Sequence, residues 1–136
     1  RRDQLPKPVL KEMANSENET DKCTGLRLNI AVDYGGRDEI LRVLNELVQE
    51  THAQKGQFKE IDEACFKSYS DLKNQSDPDL IIRTGGDKRL SNFMLWHAAY
   101  SELDFIDTLW PDFNETELAT ALDRFNEKER RFGGIG

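Results

Sequence analysis

Basic charge is scarce in this sequence: 19 Lys and Arg stand against 26 Asp and Glu, for a net charge of −7. Nucleic-acid binding draws on a broad basic field, so this balance argues against a nucleic-acid partner and requires any anion site to be local. Cysteine is scarce too. Cys23 and Cys65 lie far apart, with no CxxC spacing and no histidine cluster, and read as two reduced thiols rather than a disulfide or a zinc site. No apolar run approaches the length of a membrane span, and no signal-peptide pattern is visible. The expectation is a cytoplasmic protein with at most peripheral membrane contact.

What is present is polar. Hydrophobic residues make up 37% and charged residues 33%, which lies outside the range of a disordered chain. The 136 residues amount to one domain or part of one. Large apolar side chains are few from Arg1 to Thr24 and concentrate later. The first residue is Arg rather than Met, which leads to the expectation of a portion of a longer protein.

Leu5, Val9, Leu10 and Met13 fall at helical spacing and predict a surface helix to about Asp21, entered through Pro6 and Pro8. Leu26 to Val32, LRLNIAV, predicts a buried strand ending at Gly35-Gly36. An amphipathic helix follows over Arg37 to His52, its apolar face expected from Ile40, Leu41, Leu44, Leu47 and Val48. Lys55 to Gln57 read as a loop, Ile61 to Tyr69 as a second helix and Asn74 to Asp79 as a turn. Leu80-Ile81-Ile82 predict a buried parallel strand that delivers Arg83 at its carboxyl end. A helix from Asn92 to Glu102, a strand from Phe105 to Trp110 and a last helix opened by Asn114 and running to about Arg130 complete the pattern. Strands alternating with helices imply an α/β fold, part of an open, mainly parallel sheet flanked by helices. Residues 1–136 then form the C-terminal portion of a single domain, with further strands expected outside this sequence.

Arg83-Thr84-Gly85-Gly86-Asp87-Lys88-Arg89-Leu90-Ser91 is the stretch richest in chemistry. It starts at the carboxyl end of a predicted strand, where ligands of open α/β sheets bind. Gly85 and Gly86 allow a tight turn and close approach to a ligand. Arg83 and Arg89 each offer a fork of donors suited to phosphate oxygens. Ser91 adds a hydroxyl and is a good N-cap for the helix expected next, whose free N–H groups would add positive dipole. Such a loop can serve a diphosphate, or its arginines can simply pair with Asp87 and Asp79.

Asp79 to Phe113, DLIIRTGGDKRLSNFMLWHAAYSELDFIDTLWPDF, resembles the signature region of the cis-prenyltransferases, the undecaprenyl diphosphate synthase family. Leu28 to Ile40 (LNIAVDYGGRDEI) and Glu129 to Gly134 (ERRFGG) resemble that family's other C-terminal motifs, in the same order. The resemblance implies that Arg83, Arg89 and Ser91, with the backbone at Leu90, hold the diphosphate of isopentenyl diphosphate. It implies further that Glu102 is a ligand of Mg2+, and that Arg131 and Gly133 approach the active site from the partner subunit of a homodimer.

The family's first motif, of the form MDGNGRW, does not occur here. That motif carries the essential aspartate and the loop for the allylic diphosphate, so the resemblance places no catalytic residue in this sequence. Asp33 stands where NYGGR is usual, and Asp87 replaces a usual glutamate as an acid that orients the arginines. Glu102 lies 11 residues after Ser91, which a straight helix would turn into a separation of roughly 16 Å. Either Glu102 serves a neighbouring subunit or the helix ends early and folds back. His97 reads as a packing or interface residue and His52 as a surface residue. Phe105, Trp110 and Phe113 read as core.

The implied activity is Mg2+-dependent cis-prenyl transfer, in which isopentenyl diphosphate is added to an allylic diphosphate; this chain supplies the isopentenyl site and is inactive alone. Two rivals are a non-catalytic partner subunit, which has no need of a diphosphate grip, and a related enzyme that joins allylic units irregularly. A generic phosphate-sensing module would not account for the Glu102 and tail motifs.

Overall fold

A computed structural model describes residues 1–53 and 60–128. The expected loop at Lys55 to Gln57 and the tail from Glu129, including Arg131 and Gly133, lie outside the described residues. The chain divides into two compact units, Arg1–Gly35 and Gly36–Gly136.

The first unit carries helix α1, Lys7–Thr20, with Pro8 in its first turn. Proline is tolerated there because the first N–H groups of a helix have no partner within it. No residue of α1 is buried, as its polar composition foretells. Arg2 pairs with Glu17, and Arg1 Nε donates to Asp33 Oδ2 at 3.0 Å. The expected strand at Leu26 to Val32 does not form. These residues belong to no sheet, and Leu26, Leu28 and Ile30 are exposed, Leu26 at 94%. A strand exists only where a neighbouring backbone forms a ladder with it, and no described segment does so here.

The second unit opens with α2, Gly36–Ala53, followed by α3, Glu63–Tyr69. Asp62 caps α3 by accepting from the Cys65 N–H at 2.7 Å. The core is small: Val43, Leu47 and Phe66, with Ile40, Cys65 and Tyr69 packed around them. The Phe66 ring stacks on Trp96 with centroids 4.0 Å apart. The buried face of α2 is only in part the one its aliphatic residues suggested: Leu47 is buried and Ile40 packs against the core. Gly36, Glu39, Val43 and Leu47 point inward at helical spacing, while Leu41, Leu44 and Val48 are exposed.

Two short strands form a parallel pair: β1, Leu80–Arg83, and β2, Glu102–Phe105. Leu80 faces Glu102 and Arg83 faces Phe105. Both strands are half-buried for the most part rather than enclosed on two faces. The last strand thus ends where it was expected to begin, and Trp110–Asp112 form a 3-10 turn. Trp110 is 75% exposed and stacks on Phe113, so it is not a core residue. Helix α4, Glu115–Asn126, starts where expected, with Asn114 Oδ1 accepting from the Thr116 and Glu117 N–H groups at 3.0 and 3.2 Å.

No helix forms over Asn92 to Glu102; the chain runs through turns to residue 100. Ser91, Asn92 and Met94 adopt left-handed backbone conformations with φ of 49°, 67° and 47°, which a right-handed helix cannot contain. Ser91 is bonded there to Arg83 and Arg89, and Asn92 to the start of α2.

Phe66 carries much of this core. Phe66→Ala is expected to lower the unfolding free energy by roughly 3–5 kcal/mol, measured by urea denaturation.

Candidate functional site

The loop after β1 is held by a continuation of the β1–β2 ladder. Ile106 N–H donates to the Arg83 carbonyl at 2.8 Å. The chain then turns through Gly85 and Gly86, at φ of +91° and +79°, a region that favours glycine. Gly86 N–H donates to the Ile106 carbonyl at 3.0 Å and Gly85 N–H to the Thr108 carbonyl at 2.8 Å. The amides of Gly85 and Gly86 are therefore spent on the fold. The donors described next are side chains.

Those side chains converge. Arg83 Nη1 donates to Ser91 Oγ at 2.8 Å and to the Arg89 carbonyl. Arg89 Nε donates to the same Ser91 Oγ at 3.2 Å. Asp87 Oδ2 accepts from Arg83 Nη2 at 3.1 Å and from Arg89 Nη2 at 2.5 Å. Two guanidinium groups are thus drawn together by one carboxylate and one hydroxyl, leaving a net charge of +1 on the three ionic groups. Each guanidinium has five N–H donors, and these bonds do not exhaust them. Arg83 is anchored, with 26% of its side chain exposed, while Arg89 is open at 64%. Leu90, between Arg89 and Ser91 in sequence, is half-buried. Ser91 is not the cap of a following helix: its hydroxyl serves the arginines, and no helix starts at residue 92.

Glu102 stands elsewhere. It does not end a helix but opens β2, its N–H donating to the Asp79 carbonyl at 2.9 Å. Its partner in the ladder is Leu80, three residues before Arg83, which is roughly 10 Å along the strand from the loop. The chain folds back, but to the far end of β1. The Glu102 carboxylate accepts from Lys128 Nζ at 2.8 Å. Among the described residues no group of three or more His, Cys, Asp or Glu could hold a metal ion, so these residues alone do not make a magnesium site.

A second polar cluster escaped the sequence reading. The His97 ring is buried, with Nδ1 at 2.9 Å from Asp77 Oδ1 and Nε2 at 3.1 Å from Glu39 Oε1. Glu39, in the first turn of α2, is 1% exposed and also accepts from the Asp71 N–H at 2.9 Å. The packing role expected of His97 is what its burial shows. The available signal was Glu39 itself, which falls at helical spacing with Val43 and Leu47 on one face.

The chain as a whole matches known proteins. A family model described as "Putative undecaprenyl diphosphate synthase" matches residues 1–133. The chain belongs to the cis-prenyltransferase family. The isoprenyl transferase of Aquifex pyrophilus is 49% identical over 135 residues, 99% of this chain and 56% of that protein. That of Bacillus subtilis (strain 168) is 43% identical over 131 residues, 96% of this chain and 50% of that protein. Among solved structures, lavandulyl diphosphate synthase from Lavandula x intermedia, in complex with dimethylallyl diphosphate, superposes with a TM-score of 0.93. It is 31% identical, over 98% of this chain and 57% of that one. A probable undecaprenyl diphosphate synthase from Campylobacter jejuni gives 0.82 at 33% identity, over 97% of this chain and 59% of that one. The chain therefore spans about half the length of the relatives it matches. The fold is the α/β fold of this family, a small parallel sheet flanked by helices.

Asp77 carries a pH signature. Burial pushes its carboxyl up, but hydrogen bonds from His97 and Lys67 and their charge outweigh this and hold it below the ordinary 3.8. A depressed carboxyl stabilises the fold above the unfolded-state value and loses that contribution as pH falls through the folded one. Asp77→Asn should therefore reduce the urea midpoint at neutral pH, and its deficit should shrink as pH drops below 3.8. A deficit constant with pH would contradict the assignment.

Proposed function

We propose that this chain supplies the isopentenyl-diphosphate half of a cis-prenyltransferase site, in an enzyme that adds isopentenyl diphosphate to an allylic diphosphate. The observation that carries this reading is the convergence of Arg83, Arg89 and Ser91 on one point, in a family of prenyltransferases. Diphosphate oxygens compete with Asp87 for the guanidinium donors, as charge-assisted bonds from two forked cations favour the more highly charged anion. Much of the contribution to rate is orientation: the isopentenyl double bond is held where the allylic carbon can reach it. The allylic site and the essential acid of the reaction lie with the rest of the enzyme, and this part alone is inactive.

Magnesium, a homodimer, the reach of Arg131 and Gly133 into a partner's site, and a cytoplasmic location with at most peripheral membrane contact belong to the same proposal. When bound, magnesium would neutralise diphosphate charge. The described residues by themselves do not assemble its site.

A second reading, the joining of allylic units, draws on the likeness to lavandulyl diphosphate synthase. The two readings separate on ligand preference: an isopentenyl site prefers isopentenyl to dimethylallyl diphosphate in competition calorimetry.

A charge-assisted hydrogen bond contributes roughly 1.5–3 kcal/mol. Arg83→Ala should weaken isopentenyl diphosphate binding about 10- to 100-fold, read by isothermal calorimetry. An unchanged affinity would remove the basis of the assignment.

A further inference from the structure

Ser91 is the residue on which the two arginines meet, yet its own backbone lies in an unfavourable region. Ser91, Asn92 and Met94 all have positive φ. For residues other than glycine such conformations are unfavourable and persist only where surrounding structure over-determines them. The structure shows what does so. Helix α2 presents its first N–H groups, which have no partner within the helix. Gly36 N–H donates to the Asn92 carbonyl at 2.7 Å, and Arg37 N–H donates to Asn92 Oδ1 at 2.9 Å. Asn92 thus caps α2 from 55 residues away, with both its main-chain and its side-chain oxygen.

The contact is close as well as polar. A Cβ on Gly36 would lie 2.9 Å from the Leu95 nitrogen and about as near to the Leu95 side chain. Glycine at this position lets the start of α2 press against the turn that follows Ser91. Asparagine is among the few residues that tolerate the left-handed conformation, and it also supplies the oxygen the helix start requires. Its identity therefore meets two demands at one position.

We propose that Asn92 is a positioning residue of the diphosphate site: clamped by the start of α2, it fixes Ser91 so that the Ser91 hydroxyl stands between Arg83 and Arg89. Asn92 acts through Ser91 and needs no contact with the ligand. The proposal rests on the reading of the loop as a diphosphate site, and deepens it by tying that site to a helix that supplies none of the ligand's donors.

The test is calorimetric titration of the intact protein with isopentenyl diphosphate and with inorganic pyrophosphate, well below the thermal transition of each variant. Asn92→Gly keeps the left-handed turn easy but removes Oδ1, and Asn92→Asp restores an oxygen acceptor at the helix start. Asn92→Gly is expected to bind both probes about fivefold to tenfold more weakly, with Asn92→Asp returning to within about threefold of the parent. A residue that only stabilises the fold would lower the melting temperature in Asn92→Gly and leave the affinity of the folded protein unchanged. That result, or an Asn92→Asp variant as weak as Asn92→Gly, overturns the proposal. Arg83→Ala serves as the control. If it binds pyrophosphate as the parent does, the diphosphate reading itself fails, and the role of Asn92 falls with it. If only the Asn92 variants are silent, the diphosphate reading stands and the positioning role is lost.

Discussion

The β1–β2 ladder does not stop where the strands stop. After Phe105 the backbone of Ile106 to Thr108 keeps pairing, taking up the Gly85 and Gly86 N–H groups as the chain leaves β1 and turns. This extension makes the loop a rigid appendage of the sheet. It brings Arg89 and Ser91 back beside Arg83, at the carboxyl end of a parallel pair, where open α/β sheets place their ligands. It also determines the chemistry available there. Loops that cradle phosphate with main-chain N–H groups leave those groups unpaired, whereas here the two glycine amides are committed to the ladder and the guanidinium and hydroxyl groups are the donors that converge.

Charge in this acidic chain is arranged by pairing rather than by overall excess. Asp87 draws two like-charged guanidinium groups into hydrogen-bonding reach of a single oxygen. Without a counterion so placed, Arg83 and Arg89 would repel each other. The triad of buried Glu39 and His97 with half-exposed Asp77 follows the same rule further inside, where an unpaired Glu39 carboxylate would carry a large desolvation cost. It joins the first turn of α2 to the segment that enters β1. Both elements that frame the loop are thereby anchored to one ring, α2 through Glu39 and β1 through Asp77.

Local signals in the sequence were read well where local physics is sufficient. Helices α1 to α4 appear within a few residues of their expected limits, since apolar spacing and caps such as Asp62 and Asn114 act over a few residues. Strand β1 and the group of Arg83, Arg89 and Ser91 were legible because a strand followed by a glycine turn leaves few conformations for the chain. Reading failed where a segment depends on something distant. Leu26 to Val32 has the composition of a strand, but a strand is a relation between two backbones. The run from Asn92 to Tyr100 has helical spacing, but its first residues are held left-handed by the start of α2 and by the arginines.

The sequence by itself determined the α/β character, the grouping of Arg83, Arg89 and Ser91 in the loop after β1 and the family, because these rest on residue types at fixed short spacings. Tertiary structure alone decided which face of α2 is buried, that Glu39 and Asp77 share His97, that the glycine amides are occupied and that Glu102 lies at the far end of β1. Each of these depends on which donor meets which acceptor across tens of residues, and spacing along the chain carries no record of that pairing.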